Sequence, residues 1–238
     1  MIGLRDSEVA AMIDLGVCHP SECANRLIEG KADIGLIPVA MVAGMKEYHL
    51  VSDYCLSTNG EVRTVLLVSN TPFDEINTIY LDYRSRSSVT LCRILAAKAW
   101  KREYRWFPAP EEFDITAMKH GEAAVMIGDR CFEYARHFRY RLDLGLEWKK
   151  FTGLPFVFAC WVSTRQLPEQ FTALFNKALS EGLERRNESV TLLQEDSSAT
   201  PEEVISYLNH NIDFSLDERK REALAKFIEY IKELNITP

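Results

Sequence analysis

Apolar positions in this chain follow two alternating patterns, and together they predict strands separated by helices. Nearly continuous apolar runs at 32–39, 123–127 and 156–163, and the stretch 63–69 with its apolar centre Val65–Val68, suit strands buried on both faces. Shorter strand signals occur at 13–18, 48–54, 79–81 and around Trp106 and Phe107. Between them, apolar residues recur at helical spacing. One helix opens at Pro20 with Ser21 as its N-cap, buries Ala24, Leu27 and Ile28, and stops at Gly30. Another covers 89–100 with Val89, Leu91, Ile94, Leu95 and Ala99 turned inward, and further helices are expected at 113–120 and 141–151. Thr58-Asn-Gly60 marks a turn. The last third is helical, at 168–186, 202–209 and 217–234, with a loop at 197–201. The charge run Asp217-Glu-Arg-Lys-Arg-Glu222 reads as a solvated helix start.

Strands alternating with helices, followed by helices alone, predict an α/β fold of two lobes joined by two crossing strands. The segment Phe151-Thr-Gly-Leu-Pro-Phe-Val-Phe-Ala159 carries a helix tail through a turn into an apolar strand and suits one crossing. The crossings are expected near 67–70 and 159–162. Residues 1–69 with 162–238 then form lobe 1, 70–161 form lobe 2, and the C-terminal helices return to lobe 1.

Composition narrows the function. A net charge of −7 over 238 residues leaves no basic excess to neutralise phosphates, which excludes a nucleic-acid partner. No apolar run reaches the length of a membrane span, so no membrane partner is expected. The N-terminus lacks the basic start and apolar stretch of a signal peptide, which makes a cytoplasmic location the default. The six cysteines form no C-x-x-C pair, and Cys92 and Cys160 read as small core residues. Cys18, His19 and Cys23 lie close together without completing a metal set, and the five histidines share no common setting. Walker and Rossmann glycine patterns are absent, so no nucleotide cofactor is expected.

Several polar phrases sit where strands end. Ala32-Asp-Ile-Gly-Leu-Ile-Pro-Val39 brings Pro38 and Val39 to the position where α/β sheets bind ligands, although Asp33 and Pro38 also serve simply to start and stop a strand. Asp82-Tyr-Arg-Ser-Arg-Ser-Ser88 leads from a strand into a helix. Free N–H groups there, the hydroxyls of Ser87 and Ser88, and the charges of Arg84 and Arg86 make either a carboxylate or phosphate cradle or an ordinary N-cap. The local sequence leaves both open. Ser57, Thr58 and Thr64 form a second polar cluster, for which a turn with one polar strand residue is the plainer reading. Ile127-Gly-Asp-Arg130 lets the backbone at Gly128 approach a ligand, with Asp129 and Arg130 facing a cleft or serving as structural ion-pair partners. Pro155, in the Gly-Leu-Pro turn, completes the set of candidate binding positions.

Taken in order, these phrases resemble the chorismate dehydratase family of menaquinone biosynthesis (the MqnA group of the futalosine route). The matching words are Pro20-Ser-Glu-Cys-Ala24, Ala32-Asp-Ile-Gly-Leu-Ile-Pro-Val39, Ser52-Asp-Tyr-Cys55 and Gly60-Glu-Val-Arg-Thr-Val65. They continue through Ser85-Arg-Ser-Ser-Val89, Ile127-Gly-Asp-Arg130 and Leu146-Glu-Trp-Lys-Lys-Phe-Thr-Gly-Leu-Pro-Phe-Val-Phe-Ala159. The resemblance implies a type II periplasmic-binding-protein-like fold with its site in the interlobe cleft. It also implies a lyase that removes water from chorismate to give 3-(1-carboxyvinyloxy)benzoate. No cofactor is needed, because aromatisation drives the reaction. Thr64 aligns with a catalytic-site serine of the family. Pro38, Val39, Ser57, Ser87, Ser88, Gly128, Asp129 and Pro155 are then the expected substrate-binding residues.

Family members begin with a strand ending in a Ser-Tyr-x-Asn segment that carries a cleft asparagine. Met1-Ile-Gly-Leu4 resembles the stretch just C-terminal to that segment. The expectation is an N-terminally truncated chain lacking the first strand of lobe 1, with two strand edges exposed. Two other functions fit the same fold: a non-catalytic carboxylate-binding protein, and 1,4-dihydroxy-6-naphthoate synthase, which would use a histidine base.

Overall fold

The computed structural model describes residues 1–82, 85–110, 112–192 and 199–237. In chain order the strands are β1 (Gly35–Pro38), β2 (His49–Thr58), β3 (Val65–Ser69), β4 (Thr78–Asp82), β5 (Arg105–Ala109), β6 (Glu122–Ile127), β7 (Tyr140–Asp143), β8 (Phe156–Ser163) and β9 (Asp213–Ser215). The helices are α1 (Ile2–Arg5), α2 (Pro20–Ile28), α3 (Val39–Val42), α4 (Arg86–Ile94), α5 (Arg130–Tyr134), α6 (Leu144–Thr152), α7 (Glu169–Glu184), α8 (Arg186–Leu192), α9 (Pro201–His210) and α10 (Glu218–Glu233). Among the described residues, no helix is long and apolar enough to cross a membrane.

The strands form two sheets. The first runs β1-β8-β2-β9 and is antiparallel throughout. The second runs β5-β4-β6-β3-β7, with β4 parallel to β5 and β6, and β3 antiparallel to β6 and β7. All five residues of β3 are buried, as expected for an apolar strand paired on both edges. The chain leaves the first sheet after Thr58 and enters the second at Val65, ahead of the crossing expected at 67–70. It returns between Thr152 and Phe156, ahead of the one expected at 159–162. The polar turn at 59–64 explains the earlier passage: it interrupts the apolar run, so β3 belongs wholly to the second sheet.

One apolar cluster joins the sheets. Trp148 of α6, Phe156 of β8 and Phe227 of α10 meet edge to face, with ring centroids 5.0 to 6.0 Å apart. The Trp148 indole N–H donates to the Pro155 carbonyl at 2.9 Å, which fixes the return turn. This explains the long apolar phrase at 151–159.

Several local expectations change. Residues 13–18 are extended but unpaired: Ile13 and Leu15 pack inward, while Val17 is 73% exposed. β1 is an edge of its sheet. Pro20 occupies the first helical position of α2 behind His19, so Ser21 is inside the helix rather than its cap, and Ile28 faces solvent. The helix expected at 113–120 is a single tight turn, Ile115–Ala117, held by the Asp114 carboxylate. That expected at 141–151 is strand β7 followed by α6, because Asp143 caps α6 and ends its preceding residues as strand. Lys220 is 2% exposed rather than solvated. It pairs with Asp213 at 2.7 Å and Asp217 at 3.0 Å, since a buried ammonium requires opposite charge.

The N-terminal helix α1 docks on α7 glycine to glycine. A methyl group at Gly3 would lie 1.9 Å from the Ala178 carbonyl oxygen and 2.6 Å from the Gly182 nitrogen. Gly3→Ala therefore forces the two backbones apart, and we expect it to cost about 1–3 kcal/mol. Urea denaturation checks this by a lowered midpoint. An unchanged midpoint would mean that α1 adds nothing to stability.

Candidate functional site at the junction of the two sheets

The segment between the sheets is polar, and one buried carboxylate organises it. Asp143 accepts N–H bonds from Val62 at 3.0 Å, Arg63 at 2.6 Å and Leu146 at 3.0 Å. It thereby joins the crossing segment to the start of α6. Burial raises the pKa of its carboxyl group, and the three N–H bonds offset this only in part. Arg63 is held in the left-handed region at φ 67°. A side chain with a Cβ adopts that conformation at a cost of order 1–3 kcal/mol, and persists there when its surroundings dictate it. The short bond from its N–H to Asp143 is that constraint.

This bend presents Thr64. Its carbonyl accepts the Gly128 N–H at 2.9 Å, and Gly128 has φ 67°. Its hydroxyl lies 2.8 Å from the Tyr207 hydroxyl, supplied by α9. Tyr207 packs edge to face on Phe132 of α5 at 5.6 Å, and Arg63 lies over the Phe132 ring at 5.9 Å. Burial pushes the Tyr207 phenol up to about 12, with nearby carboxylates including Asp129 adding to the shift and Thr64 opposing it. The phenol therefore stays protonated at neutral pH and can donate.

A second polar knot lies where α3, α4 and β8 converge. The Ser87 hydroxyl donates to the Phe158 carbonyl at 2.9 Å and accepts from the Ala40 N–H at 3.3 Å. Pro38 and Val39 lead into that same turn of α3. The Ser85 hydroxyl accepts the Ser88 N–H and donates to the Ser88 hydroxyl at 2.8 Å. Ser85, rather than Ser87 or Ser88, is thus the N-cap of α4.

The expected site residues divide accordingly. Thr64, Gly128 and Asp129 gather with Tyr207. Pro38, Val39, Ser87 and Ser88 gather at the α4 start, while exposed Arg86 begins that helix. Ser57 is fully buried, and its hydroxyl donates to the Asp213 carbonyl at 2.5 Å. Pro155 is buried with its carbonyl held by Trp148. Asp33 pairs with Arg165 at 2.7 Å, and Arg130 lies over the Tyr134 ring. Tyr83 and Arg84 lie outside the described residues. Asp143, Phe132 and Tyr207 were not among the expected residues. Asp143 carried one usable signal, an Asp immediately before a helical run, whereas Tyr207 is an aromatic on an ordinary amphipathic helix.

A family model described as menaquinone biosynthesis matches residues 2–233. Among solved structures, the chain is similar to protein AF1704 from Archaeoglobus fulgidus. The TM-score is 0.75 at 12% identity, covering 99% of this chain and 94% of that one. It is also similar to an ABC transporter protein from Parabacteroides distasonis (TM-score 0.61, 18% identity, 91% and 80% covered). The periplasmic aliphatic sulphonate binding protein SsuA from Escherichia coli matches with TM-score 0.57 at 13% identity, with 94% and 77% covered. At these identities the likeness is one of fold: a two-lobed, periplasmic-binding-protein-like α/β architecture.

Asp143→Ala strands the N–H groups of Val62, Arg63 and Leu146 together. We expect a loss of more than about 2 kcal/mol, the scale of leaving buried donors unpaired. Chemical denaturation measures it, and a loss below about 0.5 kcal/mol, the range of neutral surface changes, would show that the clasp is dispensable.

Proposed function

The chain belongs to the menaquinone biosynthesis family, and from that premise we propose that it is a hydro-lyase converting chorismate to 3-(1-carboxyvinyloxy)benzoate. The observation that carries this reading is the Thr64–Tyr207 hydroxyl pair at the junction of the sheets, beside a strained Arg63. Strained backbone tends to collect at functional positions.

The reaction breaks the bond from the ring to its hydroxyl group and the C–H bond on the neighbouring ring carbon. The electron pair of that C–H bond completes the aromatic ring, and hydroxide and proton leave as water. A protein catalysing this must fix the ring and its carboxylates, and donate to the departing oxygen. In this reading Tyr207 is the donor of the 2.8 Å hydroxyl pair and the Thr64 oxygen the acceptor, so that the Thr64 hydroxyl proton is free for the leaving group. At the start of α4, where the Ser88 N–H is already taken by Ser85, exposed Arg86 is the group assigned to one carboxylate in this reading. Chains of donors of this kind polarise one another.

A second reading is a non-catalytic carboxylate-binding protein. It is favoured by the likeness in fold to a sulphonate-binding protein. A naphthoate synthase reading needs a histidine base. Among the described residues, His210 bonds within its own helix, to the Ser206 carbonyl, which gives that reading no support.

The test is incubation with chorismate followed by chromatography and mass measurement. We expect loss of one water and growth of a benzoate-type absorbance. Chorismate that raises the melting temperature but stays intact would favour the binding protein, and the absence of both effects would overturn both readings. Tyr207→Phe should lower kcat by roughly tenfold or more with KM little changed, since it removes the partner that orients the Thr64 hydroxyl toward the leaving group. Unchanged kcat would remove Tyr207 from the mechanism.

A further inference from the structure

The entry into α2 is held by an unusual pair of side chains. The His19 carbonyl accepts the first intrahelical bond, from the Cys23 N–H at 2.9 Å, while His19 itself stays extended at φ −61° and ψ 145°. His19 is therefore the N-cap, Cys18 the residue before it and Cys23 the fourth residue of the helix. Side chains at those two positions meet across the first turn, where apolar residues ordinarily form a staple that fixes the entry angle of the chain. Here the staple consists of two thiols. The Cys23 thiol reaches back to the Cys18 carbonyl at 3.6 Å. Burial, followed by a hydrogen bond with the Cys18 side chain, pushes the Cys23 thiol up to about 11. The spacing is set by the helix entry, so the pair forms no C-x-x-C word.

Access separates this pair from the other cysteines. Cys18 and Cys23 are free and partly exposed, whereas Cys55, Cys92, Cys131 and Cys160 are buried. Cys55 and Cys160 also face each other, as register partners of β2 and β8, but at 3% and 0% exposure they are closed to reagents in the folded chain. The backbone at Cys18 has room to adjust, since residues 13–18 join neither sheet among the described residues. Arg26, in the next turn of α2, places its positive charge beside both thiols, and such a charge favours the reactive thiolate.

We propose that Cys18 and Cys23 form a reversible disulfide by exchange with a small-molecule disulfide of the glutathione class, closing a covalent clasp over the entry of α2. Cys18 is the attacking group, because Cys23 holds its proton at neutral pH. The Cys18 thiolate attacks one sulfur of the small disulfide, the S–S bond breaks, and one small thiol leaves with the proton that Cys18 gave up. The Cys23 sulfur then loses its proton, attacks the Cys18 sulfur of the mixed disulfide and expels the second small thiol. Two electrons and two protons pass from the pair to the small disulfide. The clasp ties the stretch 13–18 to α2, and it does not depend on Thr64 or on the reaction proposed there.

The test exposes the reduced full chain to glutathione disulfide, quenches with acid, alkylates the remaining thiols in denaturant and maps a tryptic digest by mass. Both thiols fall in the single peptide 6–26. That peptide should lose two hydrogens and take up no alkyl group, and dithiothreitol should restore both alkylation sites. Cys55, Cys92, Cys131 and Cys160 should stay alkylated throughout. Cys23→Ser should stop at one glutathione on Cys18, and Cys18→Ser should leave Cys23 largely unmodified. Two alkyl groups on peptide 6–26 after exposure, separate glutathiones on both thiols without an internal bridge, or bridging of Cys55 to Cys160 ahead of this pair would each overturn the proposal. Cys23 in Cys18→Ser reacting faster than Cys18 in Cys23→Ser would overturn the order of attack. The wild-type map decides the disulfide even where a serine variant misfolds.

Discussion

The carboxylate of Asp143 is the constraint on which the candidate site depends. It sits at the end of β7, where it closes the first turn of α6 and captures two consecutive N–H groups of the segment passing between the sheets. Without a fixed acceptor, that segment would have no reason to hold Arg63 left-handed. With it, the next residue is turned so that its carbonyl meets Gly128 and its hydroxyl meets Tyr207. A single buried acid thus links the local dihedral at 63 to the placement of a hydroxyl that three separate elements surround. Burial of an acid is costly unless it is well bonded, and three N–H donors meet that requirement.

The packing around this clasp gives it a rigid base. Trp148, on the helix that Asp143 caps, is wholly buried and packs against Phe156 and Phe227. Shifts in α6 would therefore be resisted from both sheets and from α10. The opposite side is different. No residue of α9 is fully buried, although the hydroxyl end of the Tyr207 it supplies is shielded from solvent. The firm side of the site carries the hydroxyl of Thr64, and the lightly packed side carries its donor.

Much of the fold was legible in the sequence. The apolar runs at 32–39, 63–69, 123–127 and 156–163 all contain strands, because residues buried on both faces leave an uninterrupted pattern. The family and the fold were also readable, since ordered phrases along the chain carry more information than any one of them. What escaped were features that depend on partners distant in sequence. β7 looked helical until Asp143 is seen to begin the helix. Residues 13–18 alternate as a strand does, yet join neither sheet among the described residues. Lys220 read as solvated because its partner Asp213 lies outside the local charge run. At the candidate site, Thr64 was pointed to by the family resemblance and Gly128 by its phrase, and the structure brings the two together. Tyr207, 143 positions from Thr64, could not, because a hydroxyl–hydroxyl contact leaves no periodic trace.

The proposed reaction gives departure of the substrate's oxygen to the Thr64 hydroxyl. Turnover of chorismate by Thr64→Ser and Thr64→Val, each with its melting temperature measured, tests this most directly. The serine variant should keep kcat within a few fold. The valine variant, similar in shape but without a hydroxyl, should lose roughly a hundredfold in kcat, the scale of a single transition-state donor, with KM little changed. Valine turning over chorismate as fast as the wild-type chain would contradict that role.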